Sequence, residues 1–187
     1  KRKKLSEIIP LAHPFTVYIE QTKYCNFKCF YCIHSTRDEA DGEFRALGHR
    51  MQHMDFDFYK KIIKELQEFP RGGIKRIVFS GLGEPLMNPR LPEFVRMVVD
   101  AKIADRVEII TNGLLLTPEK SSALVAAGIT NINISVQGLD AEGYQETCGI
   151  PINFEAYLEN LKYLYEHKGS VQIYIKAIDA TLKTKEN

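Results

Sequence analysis

The chain has 187 residues, 44% of them apolar and 26% charged, with a formal net charge of +1 at pH 7. That length suits one domain with a sizeable core, and the near-neutral balance gives no support for nucleic acid or a charged membrane surface as a bulk partner. No apolar stretch is long enough to span a bilayer and no signal peptide is visible. The expected compartment is therefore a reducing cytoplasm, where cysteines serve as metal ligands or catalytic groups more often than as disulfides.

Residues 1–14 read as an N-terminal extension, opening on a run of four basic residues expected to be a solvated end. There is no initiating Met, so the natural chain is expected to begin earlier. From residue 15 onward, short β-like runs alternate with helical patterns. The strand candidates are 15–20, 76–80, 107–111, 131–136 and 171–178. Several are near-continuous apolar runs, which suit strands buried on both faces of a parallel sheet.

Helices fit between them. Residues 55–69 carry Phe58, Ile62, Leu66 and Phe69 at helical spacing before Pro70 and Gly72, and residues 91–101 do the same with Phe94, Val95, Val98 and Val99. Thr117 reads as an N-cap ahead of Pro118, with Gly128 as the stop, and Asn153 opens a last helix that Gly169 ends. Such alternation implies right-handed βαβ units in one α/β domain, 15–187. The polar stretch 34–54 reads as a long loop, either covering an active site or disordered.

The chemistry concentrates between Lys23 and His34, which reads K-Y-C-N-F-K-C-F-Y-C-I-H. Cys25, Cys29 and Cys32 stand at C-x-x-x-C-x-x-C spacing directly after the first strand. A compact loop can aim three such thiolates at one centre, and thiolates are soft ligands that favour Fe–S clusters or zinc. The aromatic neighbours Tyr24, Phe27, Phe30 and Tyr31 would exclude water. Three protein ligands are one short of the usual four, which leaves a position open for a small molecule. The alternative is a structural zinc centre closed by His34.

With Tyr31 at the aromatic position, this cysteine pattern resembles the signature of radical S-adenosylmethionine (SAM) enzymes. The resemblance continues. Residues 79–85 read F-S-G-L-G-E-P, similar to that family's Gly-Gly-Glu-Pro motif, with Leu82 in place of the first paired glycine. Residues 111–113 read T-N-G. Residues 134–149 read I-S-V-Q-G-L-D-A-E-G-Y-Q-E-T-C-G, similar to members that carry a C-terminal auxiliary-cluster domain. The resemblance covers roughly 15–178.

It implies an α/β fold, a partial (β/α)6 TIM-like barrel with parallel strands, apparently truncated after the fifth strand. The natural protein is then expected to continue, a C-terminal cluster-binding domain being one form of that continuation. It also implies that Cys25, Cys29 and Cys32 hold a [4Fe–4S] cluster whose fourth iron takes SAM. Reductive cleavage of SAM would yield a 5′-deoxyadenosyl radical that abstracts hydrogen from a small-molecule or peptide substrate. A flavodoxin or ferredoxin would supply the electron.

Further residues follow. Glu84, beside Gly83 whose backbone can approach a ligand closely, is expected to hold the SAM ammonium, although the same residues also make an ordinary turn. The resemblance gives Ser135 a ribose hydroxyl and the Tyr31 carbonyl the adenine amino group. Gln137, where many relatives carry Asp, is a further ribose or substrate contact. Asn112 is either a cofactor contact at the barrel rim or a turn residue. Lys176 either meets SAM or substrate or faces water on an edge strand. Cys148 is either a hydrogen-atom donor or a small apolar filler. His13, His49, His53 and His167 read as surface residues. The rival readings are a non-catalytic Fe–S or zinc module and a degenerate member without turnover.

Overall fold

The computed structural model describes residues 4–70 and 73–177. The first three residues of the basic run, the last residue of the expected fifth strand and everything after it lie outside the described residues. In chain order the elements are β1 (Thr16–Ile19), α1 (Glu43–Ala46), α2 (Phe56–Leu66), β2 (Arg76–Phe79), α3 (Leu91–Asp100), β3 (Arg106–Thr111), α4 (Pro118–Ala126), β4 (Asn131–Val136), α5 (Ala141–Cys148), α6 (Phe154–His167) and β5 (Gln172–Ala177). The strands form one sheet in the order β1-β2-β3-β4-β5, every pair parallel. Successive strands in successive places are the first part of an α/β barrel.

Helix starts follow the sequence closely. Asp55 accepts a hydrogen bond from the Phe58 amide at 2.8 Å, Thr117 from Lys120 at 3.4 Å and Asn153 from Ala156 at 3.0 Å. Helix α2 stops at Leu66, a turn earlier than its pattern suggests. Helix α5 was not among the expected helices. Asp140 caps it by accepting from the Gly143 amide at 2.7 Å, and Gly149 closes it at φ +68. Only a residue without a Cβ takes that left-handed conformation cheaply.

The central strands are covered on both faces, as Val78 and Glu108 are as buried as their core-facing neighbours, but the sheet is mainly apolar on one face. Ile19, Ile77, Phe79, Val107, Ile109, Ile132 and Ile134 share a core with Tyr59 of α2, Phe94 and Val98 of α3, Leu124 of α4 and Leu164 of α6. The opposite face carries Tyr18, Arg76, Arg106, Glu108, Asn133, Ser135, Tyr174 and Lys176, as alternation along paired parallel strands requires. Glu108 is its hub. Its Oε1 accepts from Asn133 Nδ2 at 2.6 Å, and its Oε2 lies 3.0 Å from Arg106 Nε and 3.9 Å from Arg76 Nη1. Val78 and Ile110 interrupt this polar row, which is why β2 and β3 look continuously apolar.

The segment 34–54 is more structured than a loop. It holds a 3₁₀ turn at Ile33–Thr36 and the short α1, whose Phe44 is buried. Its far end runs back antiparallel to the chain after β1. The Lys23 amide donates to the Gln52 carbonyl at 2.8 Å, the Met54 amide to the Gln21 carbonyl at 3.0 Å, and Thr22 bridges His53.

Candidate functional site

The three cysteines sit in the loop that leaves the C-terminal end of β1. Backbone bonds fix that loop on several sides. The Glu84 amide donates to the Tyr24 carbonyl at 2.8 Å. The Lys28 and Phe30 amides, flanking Cys29, donate to the Cys148 and Thr147 carbonyls at the end of α5, at 2.9 and 3.0 Å. The Cys32 amide donates to the Cys29 carbonyl at 2.9 Å. Carbonyls at a helix C-terminus lack intrahelical partners, so α5 offers them and the loop takes them.

All three thiols are free and half-buried. Phe27 is the loop's plug, packed edge-on to Tyr144 at 6.0 Å with Cys148 and Tyr157 around it. Phe30 and Tyr31, expected to shield the site, face outward at 70% and 49% exposure. Burial pushes the Cys25 thiol up to about 11. Hydrogen bonding from Cys148, aided by Tyr31, brings Cys29 down to about 7 against its burial. The same contact, with burial, drives Cys148 upward.

The ends of β2 and β3 meet beside this loop through Glu84. Its carboxyl is 3% exposed. Oε1 accepts from the Leu86 amide at 3.0 Å and the Thr111 hydroxyl at 2.6 Å, and Oε2 from the Asn112 amide at 2.7 Å. Burial raises its pKa, and these donors oppose the rise. A carboxylate offers about four acceptor sites, so one on Oε2 stays open. Glu84 is thus first a strut between two strand ends.

Gly83 passes so close to the preceding segment that a Cβ would lie 2.2 Å from the Thr22 carbonyl oxygen and 2.8 Å from that of Tyr24. Leu82 keeps a negative φ, so its replacement of glycine strains nothing.

Asn112 is buried and joins the site by its side chain as well. Its Nδ2 donates to Asn26 Oδ1 at 2.7 Å, and its Oδ1 accepts from the Leu114 amide at 3.0 Å. Asn26, between two of the cysteines, was not singled out from sequence. Its Nδ2 is buried without a partner, and only its place within the cysteine motif signalled it.

Gln137 is 6% exposed, accepts from the Tyr31 hydroxyl and donates to the Ser135 carbonyl at 3.4 Å. Ser135 is half-buried at the end of β4, paired in register with Lys176. Lys176 is exposed on the outermost strand. Cys148 is fully buried in the small apolar cluster behind the loop.

The His34 ring lies against Phe44 at 5.0 Å, and neither of its buried nitrogens bonds a cysteine. A cubane cluster sets its thiolates apart on separate irons. Three thiols in one fixed loop and an orphaned Asn26 amide beside it fit a cluster with a polar ligand.

Comparison with known proteins agrees. The sequence profile of the Radical SAM superfamily matches residues 19–178. A probable GTP 3′,8-cyclase of Methanococcus maripaludis is 37% identical over 125 residues, 67% of this chain and 37% of that protein. A tungsten-containing aldehyde ferredoxin oxidoreductase cofactor-modifying protein of Pyrococcus furiosus is 30% identical over 172 residues, 91% of this chain and 44% of the relative. Streptococcus suis SuiB bound to S-adenosylmethionine has the same fold, with a TM-score of 0.66 at 21% identity over 92% of this chain and 36% of that one. The chain thus spans under half the length of these relatives. A matching profile over most of its residues and a three-thiol loop at the end of β1 establish that the chain belongs to the radical SAM superfamily, whose cofactors are a [4Fe–4S] cluster and S-adenosylmethionine.

Proposed function

We propose that this chain is the cofactor-binding part of a radical SAM enzyme that removes a hydrogen atom from a small-molecule or peptide substrate. The observation that carries this reading is the cysteine loop, held in shape by α5 and the Glu84 amide with its three thiols unpaired. Cys25, Cys29 and Cys32 would hold the cluster. When bound, the cluster and SAM supply a 5′-deoxyadenosyl radical.

The chain's own residues bind and orient. The open site on Glu84 Oε2 suits the SAM ammonium, by a charge-assisted hydrogen bond in a buried setting, with Gly83 setting the close approach of the cysteine segment to it. Asn26, whose Nδ2 is free while its Oδ1 accepts from Asn112, suits a further polar group of the cofactor. Ser135 and Gln137, at the end of β4, suit ribose hydroxyls. Lys176, beside Ser135 in register, reaches an anionic group of cofactor or substrate. The relatives bear names as different as a GTP cyclase and a cofactor-modifying protein, so substrate choice lies outside the shared loop. A low-potential flavodoxin or ferredoxin is the electron donor, and the cytoplasm, which keeps thiols reduced, is the compartment. No described helix is long and apolar enough to cross a membrane.

Anaerobic reconstitution with iron and sulfide, then incubation with SAM and dithionite, tests the reading. The full-length protein should release 5′-deoxyadenosine, and Cys29→Ala should abolish the release. A colourless protein with stoichiometric zinc would reject it.

A further inference from the structure

Arg37 belongs to none of the motifs above, yet it touches the cysteine loop directly. Its Nη1 donates to the Cys25 carbonyl at 3.0 Å and also to the Phe27 carbonyl. One nitrogen shared by carbonyls two residues apart curls the 25–27 arc around it. The arc carries both the Cys25 thiol and the Phe27 plug. The turn that presents Arg37 is itself tied down: the Thr36 hydroxyl donates to the Ile33 carbonyl at 3.1 Å and accepts from the Phe44 amide at 3.2 Å.

Arg37 also brings charge. Its side chain is only 13% exposed, so solvent screens it weakly. Asp38 Oδ1 lies 3.9 Å from its Nε, but Asp38 is 65% exposed and also pairs with Lys28. The three charges leave one net positive charge beside the loop.

The geometry points to Arg37 as a positioning residue for the cluster, which shapes the Cys25–Phe27 arc and places a fixed cation where an electron must be received. The inference rests on the radical SAM reading. Reduction adds one electron, and one negative charge, to the cluster. A cation nearby favours the reduced form, so its removal makes reduction harder.

The test is a mediated dithionite titration of the reconstituted full-length protein, followed by electron paramagnetic resonance, with iron and sulfide assayed in parallel. Wild-type protein without a cluster rejects the radical SAM reading itself, a separate failure. Arg37→Gln should hold less iron. At a fixed potential its ratio of reduced to oxidised cluster should fall about tenfold, which is about 59 mV for a one-electron couple. Arg37→Lys, which keeps the charge, should return the potential close to wild type.

A wild-type potential in Arg37→Gln overturns the proposal, and so does an Arg37→Lys potential displaced as far as that of Arg37→Gln. If Arg37→Gln holds no cluster, Arg37→Lys decides: a cluster at wild-type potential supports the proposal, and no cluster overturns it.

Discussion

Two carbonyl oxygens dictate the residue at position 83. A methyl group there would overlap the Thr22 and Tyr24 oxygens, which are backbone and cannot swing away. Gly83→Ala should therefore shift the segment that leads into the cysteines. The expected cost is about 1–3 kcal/mol, as for other forced overpacking. Denaturant unfolding of the cluster-loaded protein measures it, and SAM binding should weaken in parallel. Unchanged stability and SAM affinity would show that the approach is slack.

At this scale the cysteines and Glu84 were legible in the sequence because their motif spacing is local. Glu84's bonds were not, since Thr111 and Asn112 lie 27 and 28 residues away. Asn26 and Arg37 were missed for the same reason. Their roles depend on Asn112 and on loop carbonyls brought near only by folding.

Helix α5 shows what sequence periodicity conceals at the scale of an element. It has eight residues, and only Tyr144, Thr147 and Cys148 are buried, so no long apolar stripe announces it. Its work lies in its C-terminal carbonyls and in the packing of Cys148 beneath the cysteines. Cys148→Ala removes a small buried side chain and should cost about 1 kcal/mol. Release of 5′-deoxyadenosine should persist. Loss of that release in a folded, cluster-loaded variant would return Cys148 to the chemistry. The longer elements were legible because Asp55, Thr117 and Asn153 are local caps. The two-faced character of β2 and β3 was hidden by Val78 and Ile110, apolar side chains on the otherwise polar face.

For the whole molecule, the parallel α/β character followed from strand–helix alternation, and the sequential barrel order from the resemblance to radical SAM enzymes. The position of the last strand has a measurable effect. β5 has a hydrogen-bonded neighbour only on its β4 side among the described residues, and Tyr174 and Ile175 are 47% and 61% exposed. Exposed apolar strand edges pair with other chains. The 187-residue chain on its own should therefore self-associate as concentration rises, and Ile175→Lys should reduce this. Light scattering across a dilution series reads the difference; identical behaviour of the two proteins would refute the idea.

The cysteine loop owes its shape to backbone bonds with α5 and Glu84 and to the Arg37 guanidinium on its carbonyls, none of which involves metal. Small zinc domains differ, because there the ion itself drives folding. Loss of iron and sulfide should therefore leave the loop's bonds in place, and circular dichroism before and after chelation should read the same backbone, so that the centre can be rebuilt without refolding the polypeptide.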